Sequence, residues 1–94
     1  GNKLTELPEG LEKLDQLTYL DLSINKLTDV KGLEKLTQLT TLYLNANQLT
    51  DVKGLENLTQ LTQLDLRDNP DLTEAQIAEL QKALPKCEIR HDFD

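Results

Sequence analysis

The chain has 94 residues, with 17 Asp or Glu against 10 Lys or Arg and a formal charge of -7. That length holds one small domain, and an acidic surplus excludes nucleic acid as a partner, since phosphate backbones need a basic face. One Cys and one His exclude an internal disulfide framework and a zinc site of the usual kind.

The chain opens in mid-repeat. Asn2, Lys3, Leu4 and Thr5 align with Asn25, Lys26, Leu27 and Thr28, so the strand half that would precede Asn2 is missing. Residues 2–16 form a partial repeat whose connection, LTELPEGLEKLDQ, is one residue longer than the later ones. The polar opening GNKLTELPEG does not read as a signal peptide. The chain reads as a fragment of a longer array or as an engineered minimal one.

Three blocks then recur at a step of 22 residues, Leu17-Leu20-Leu22, Leu39-Leu42-Leu44 and Leu61-Leu64-Leu66. Each closes on an asparagine, Asn25, Asn47 or Asn69, and is followed by Leu27, Leu49 or, one residue late, Leu72. The repeats run over residues 17–38, 39–60 and 61–83. In L-x-L both leucines point to one side of an extended strand, so each block predicts one short strand. A lone strand cannot bury its leucines. Stacking the repeats builds a parallel sheet over one continuous leucine core. The intervening VxGLxxL returns the chain on the opposite side as a helical turn, with Gly32 and Gly54 where a tight backbone is needed. The asparagines are expected to form a ladder, each amide bonding its own turn and its neighbour's. The strand at 19–23 is then an uncovered edge, open to edge-to-edge self-association.

Toward the C-terminus, Asp68-Asn69-Pro70-Asp71 signals a turn, and Thr73 with Gln76 forms a capping box. Ile77, Leu80 and Leu84 fall at helical spacing, and Pro85 ends the helix near Leu84. Residues 84–94 then repeat LxxLxL, with Cys87 and Ile89 at leucine positions and Asp92 at the asparagine position. This predicts a fourth, terminal strand, with Arg90, His91, Asp92 and Asp94 as a polar outer face.

These registered LxxLxLxxNxL copies resemble leucine-rich repeat proteins, of the short 22-residue type found in internalin-like bacterial members, over residues 2–92. The resemblance implies an α/β solenoid, a right-handed superhelix in a horseshoe arc. Short parallel strands would line its concave side and turns or short helices its convex side, with a C-terminal capping helix and strand. It also implies binding of a protein partner through the concave face.

The candidate binding residues are the strand positions that flank the leucines: Tyr19, Asp21 and Ser23, then Thr41, Tyr43 and Asn45, then Gln63, Asp65 and Arg67. The terminal strand adds Lys86, Glu88 and Arg90. Residues 26–47 and 48–69 match at sixteen of 22 positions. Four of the six differences, 41/63, 43/65, 45/67 and 46/68, fall on or beside the strand. The framework is nearly copied while this face varies. Free drift of solvent-facing positions is the alternative, yet the exposed convex Lys and Glu positions mostly did not drift. Tyr19 and Tyr43 are the best anchors, since aromatic residues and arginine are favoured interface hot spots.

Other constellations have plainer readings. Cys87 sits in register as a small apolar core residue. A Ser23–His91 catalytic pair would span the solenoid from first strand to last. Asn25, Asn47 and Asn69 follow the repeat period rather than the dense alternation of a calcium loop. Asp29 and Asp51 order local turns. With no phosphate loop, GxSxG motif or metal-ligand cluster, neither enzymatic activity nor a cofactor is expected. No run of about 18 apolar residues is present, so no membrane insertion is expected. The competing reading is an assembly segment, or an engineered scaffold with no evolved ligand.

Overall fold

Three-residue strands form at each leucine block: β1 (Tyr19–Asp21), β2 (Thr41–Tyr43), β3 (Gln63–Asp65) and β4 (Glu88–Arg90). In the computed structural model, which describes residues 3–93, they lie in a parallel sheet of order β1-β2-β3-β4. The expectations placed on Asn2 and Asp94 lie outside the described residues. Leu20, Leu42, Leu64 and Ile89 stand in one register across the sheet, as the repeat period requires.

Parallel neighbours need a return path, and here it is short. The chain turns through single 3-10 segments at Leu11–Lys13, Leu33–Lys35 and Leu55–Asn57. Gly32 and Gly54 precede the latter two with φ of 103° and 108°. That left-handed backbone is strained for any residue with a Cβ, so glycine is required there. Their N–H groups donate to Glu34 Oε1 at 2.9 Å and Glu56 Oε1 at 2.8 Å. Asp29 and Asp51 accept from the N–H groups of Lys31 and Lys53, as the turn-ordering reading expects. Between β3 and β4 the return is the helix α1 (Glu74–Ala83). Thr73 and Gln76 form its capping box, and Leu84 is its C-cap.

The core is the leucine stack between sheet and turns. Leu33, Leu36, Leu39, Leu42 and Leu44 are fully buried, as are Leu49, Leu55 and Leu58 one repeat on. Each such side chain contributes about 1.5–3 kcal/mol on removal from water. Cys87 and Ile89 join this core from the terminal strand.

The asparagine ladder seals the turns after the strands. Asn47 Oδ1 accepts from Leu27 N–H at 3.0 Å, and its Nδ2 donates to the carbonyls of Leu22 at 3.0 Å and Leu44 at 3.1 Å. Asn69 repeats this between Leu49 N–H and the carbonyls of Leu44 and Leu66. Asn25 Oδ1 accepts from Leu4 N–H at 3.1 Å, which ties the partial repeat to the stack. A second ladder, which the repeat pattern does not announce, runs through threonines: Thr40 Oγ1 donates to Thr18 O, and Thr62 Oγ1 to Thr40 O, both at 3.1 Å.

The two ends differ. At the β1 end the leucine stack is less covered among the described residues: Leu14 is 53 % exposed, whereas its counterparts Leu36 and Leu58 are 0 % exposed. At the β4 end Asp92 takes over a backbone role. The amides of Ile24 and Ala46 donate to the carbonyls of Asn45 and Arg67 in the next coil, while that of Asp68 donates to Asp92 Oδ2 at 2.8 Å. Phe93 packs against the core, and its N–H donates to His91 Nδ1 at 3.0 Å. Among the described residues, no helix is long and apolar enough to cross a membrane.

Candidate binding face

Strand side chains alternate, so the positions between the buried leucines emerge on the opposite face of the sheet. Register sets them in rows. Tyr19, Thr41, Gln63 and Glu88 form one row across the four strands, and Asp21, Tyr43, Asp65 and Arg90 form the next. Ser23, Asn45 and Arg67 follow two residues beyond the second row. All nine candidate residues therefore fall on or directly beside this face, together with Glu88 and Arg90.

The face has an aromatic side and a charged side. Tyr19 and Tyr43 meet edge to face, with ring centroids 5.6 Å apart and planes at 89°. This is a favoured geometry for aromatic quadrupoles and fixes both rings relative to each other. Beside them, Asp21 Oδ1 accepts from Ser23 N–H at 2.9 Å and from Ser23 Oγ at 2.6 Å. Those hydrogen bonds favour the ionised form and hold the Asp21 carboxyl below the usual carboxylate range, against a slight opposing effect of burial.

On β3 the exposed aspartate expected from the pattern is instead buried. Asp65 is only 5 % exposed. Arg67 folds back over it, with Nη2 2.7 Å from Oδ2 and Nε 3.0 Å from Oδ1, and its own N–H donates to Oδ1 at 3.1 Å. A charged group leaves water on such a face only if paired and hydrogen-bonded, and Asp65 is both. Burial pushes its carboxyl up, but the Arg67 hydrogen bonds and the charges of Arg67 and Arg90 outweigh this and hold it below its ordinary range. Arg90 and Glu88 make a looser contact at 3.8 Å, with both side chains more than half exposed. A shallow dimple of about 60 Å³ lies between Tyr43, Gln63, Asp65, Glu88 and Arg90.

A cavity larger than this dimple lies elsewhere. A groove of about 400 Å³ opens between α1 and the turn at Leu55–Asn57, over Val52, Leu80 and Ala83. A full helix stands where the other repeats have a three-residue turn, and the sequence signalled the helix without its stand-off.

The remaining singled-out residues take structural positions. Cys87 is buried, and burial, with the nearby Glu88 charge, pushes its thiol up, away from the reactive thiolate. Ser23 donates to Asp21 on β1's side of the sheet, while His91 packs near Phe93 just past β4, so the two are not brought together. Among the described residues, no group of three or more His, Cys, Asp or Glu is placed to hold a metal ion.

A family model described as leucine rich repeat matches residues 1–49, and one described as leucine rich repeats in two copies matches residues 37–82. No curated protein matches. Among solved structures, a leucine-rich repeat protein of Leptospira interrogans is similar, with 41 % identity and a TM-score of 0.83 over 99 % of this chain and 24 % of that one. An internalin of Listeria monocytogenes, inlF, gives 30 % identity and a TM-score of 0.76 over 95 % of this chain and 25 % of its own. The functional domain of InlJ from the same species, which includes a cysteine ladder, gives 27 % and 0.73 over 97 % of this chain and 18 % of its own. The chain thus spans about a quarter or less of the length of these solved structures. The repeat period, the parallel sheet, the asparagine ladder and the family match over half the chain agree, and the chain belongs to the leucine-rich repeat family.

Proposed function

We propose that this chain is a protein-interaction module that binds its partner through the concave sheet face, with Tyr19, Asp21, Ser23, Thr41, Tyr43, Asn45, Gln63, Asp65 and Arg67 as the contact grid and Arg90 of the terminal strand extending it. Leucine-rich repeat domains generally mediate protein–protein interaction and are typically not enzymes. The observation that carries the assignment to this face is where variation falls. Residues 26–47 and 48–69 differ at six positions, and the pairs 41/63, 43/65 and 45/67 are on or beside the sheet face. Fixed side chains add support. The Tyr19–Tyr43 contact, the Asp21–Ser23 hydrogen bonds and the Asp65–Arg67 pair order this face before any partner arrives, which lowers the entropic cost of binding.

The test is a capture with three baits from extracts of the organism that encodes the chain. One bait is native and the other carries Tyr19→Ala, Tyr43→Ala and Arg90→Ala, with circular dichroism to verify the fold. Arg67 is left in place because its loss would strand the buried Asp65 carboxylate. A third bait carries Lys31→Ala and Lys53→Ala on the convex side. The proposal expects a protein held by the native and convex-variant baits and lost from the sheet variant. Equal capture by the native and sheet-variant baits would overturn it.

A second reading has its own observation. Among the described residues, the exposed large apolar side chains Leu14, Tyr19 and Ile24 all lie in the partial repeat or on the β1 coil, beside a strand edge that no other described strand covers. This favours association of two copies through β1. Sedimentation should then show a mass that rises with concentration and returns to that of a monomer with Leu14→Lys and Ile24→Lys. A constant monomer mass for the native chain at millimolar concentration would exclude it.

A further inference from the structure

The aromatic side of the sheet face holds a combination that the charged side lacks. Tyr19 and Asp21 are two residues apart on β1, on one face, and Asp21 stands directly opposite Tyr43 on β2. Neighbouring strands are about 4.8 Å apart and alternate residues about 7 Å, so the two rings and the carboxylate share one patch of the face. The rings stand at 89°, two walls of an open corner, and Tyr19 is 55 % exposed. A cation within about 6 Å of a tyrosine ring centroid is attracted by the ring quadrupole.

The charges around this corner are unequal. Among the described residues, the ion pairs are Arg67 with Asp65 and Arg90 with Glu88, both on the far side of the face. Asp21 has neither cation. Its Oδ1 is held by the neutral Ser23, and its Oδ2 has no hydrogen-bond partner among the described residues. The Ser23 bonds fix the carboxylate without neutralising it. The protein around it carries a formal charge of -7, which favours a cationic partner.

We propose that the Tyr19–Tyr43 corner beside Asp21 is a seat for the cationic side chain, lysine or arginine, of the protein partner. This rests on the concave sheet being the binding face. The ammonium or guanidinium lies against the rings and pairs with Asp21 Oδ2, while its aliphatic stem covers the exposed ring of Tyr19. The seat thereby assigns the partner a chemistry: a basic side chain on the segment that crosses β1 and β2.

The test needs no partner in hand. The intact chain is titrated with Nα-acetyl-lysine methylamide and with its Nε-acetylated, neutral counterpart, and the ring resonances of Tyr19 and Tyr43 are followed by nuclear magnetic resonance. The charged probe should move both rings in a saturable way, and the neutral probe should not. Removing either ring, by Tyr19→Ala or Tyr43→Ala, should weaken the charged probe by about two- to five-fold, in line with exposed cation–π contacts. Tyr19→Phe should retain binding, since the ring face remains, and Asp21→Asn should weaken it without disturbing the fold. Equal response to both probes, or none up to their solubility limit, would overturn the proposal. The two readings fail separately. Partner capture lost with Arg90→Ala but unchanged by Asp21→Asn keeps the binding face and removes the seat. A charge-dependent probe response, with capture indifferent to every sheet variant, keeps the seat and removes the binding face.

Discussion

Asn47 shows how much one residue carries in this fold. It is 5 % exposed, and it satisfies one buried amide and three carbonyls drawn from two coils. Replacing it with Ala leaves Leu27 N–H with no acceptor in place. A stranded buried group costs about 1–3 kcal/mol, so Asn47→Ala should cost about 3 kcal/mol, seen as a lower urea midpoint. A loss below about 0.5 kcal/mol would mean that water replaces the ladder. Ile24 is the opposite case. It adopts φ 59°, the left-handed region, where Ala46 and Asp68 stand in the other repeats. A β-branched residue there is strained by roughly 1–2 kcal/mol, and asparagine tolerates it. Ile24→Asn should therefore raise stability by about 1 kcal/mol in thermal melts. Asp65 sets a pH dependence. Its carboxyl lies lower in the folded chain than in the unfolded one, so its contribution is complete above the unfolded value and is lost as pH falls through the folded value. Acid titration should show Asp65→Asn losing less stability than the native chain below about pH 3.9, where an unfolded aspartate takes up its proton. Parallel acid profiles would contradict the pairing seen here.

At the scale of elements, the repeat is what the sequence states most directly. The L-x-L blocks place β1, β2 and β3, because apolar residues at a spacing of two on a half-buried strand have few other uses. The same logic finds β4 from Cys87 and Ile89, and the capping box finds the start of α1. Thr73→Ala should cost about 1 kcal/mol of stability by removing the oxygen that accepts from Gln76 N–H, and an unchanged melting temperature would contradict that role. The site was legible as a face but not as a set of contacts. Period alone places Tyr19, Asp21, Tyr43 and Arg67 on one side of the sheet. It does not reveal that Arg67 folds over Asp65 or that the two tyrosines meet at right angles, since those depend on rotamers and on strand spacing. The threonine ladder was hidden for another reason. Thr18, Thr40 and Thr62 recur in register, but a hydroxyl at an exposed position gives no pattern that separates bonding from solvation.

For the whole molecule, the stack of leucines makes stability uneven along the solenoid axis. Leu36 and Leu14 occupy equivalent positions, one enclosed by coils on both sides and one at the open end. Leu36→Ala should cost about 2–5 kcal/mol, whereas Leu14→Ala should cost under about 1 kcal/mol. Equal losses would mean that the open end is covered in solution. The sheet face lies across this axis, so its residues come from every coil, and the fold brings together side chains that are 22 residues apart in sequence. A partner docked on this face would therefore touch several coils at once. The most direct measurement is photo-crosslinking in the cell that encodes the chain, with benzoylphenylalanine placed in turn at Thr41 and Gln63 on the sheet face and at Lys31 and Lys53 on the convex side. Docking on the sheet face should give a discrete partner adduct from positions 41 and 63 and none from 31 and 53. Adducts from the convex positions alone would contradict it.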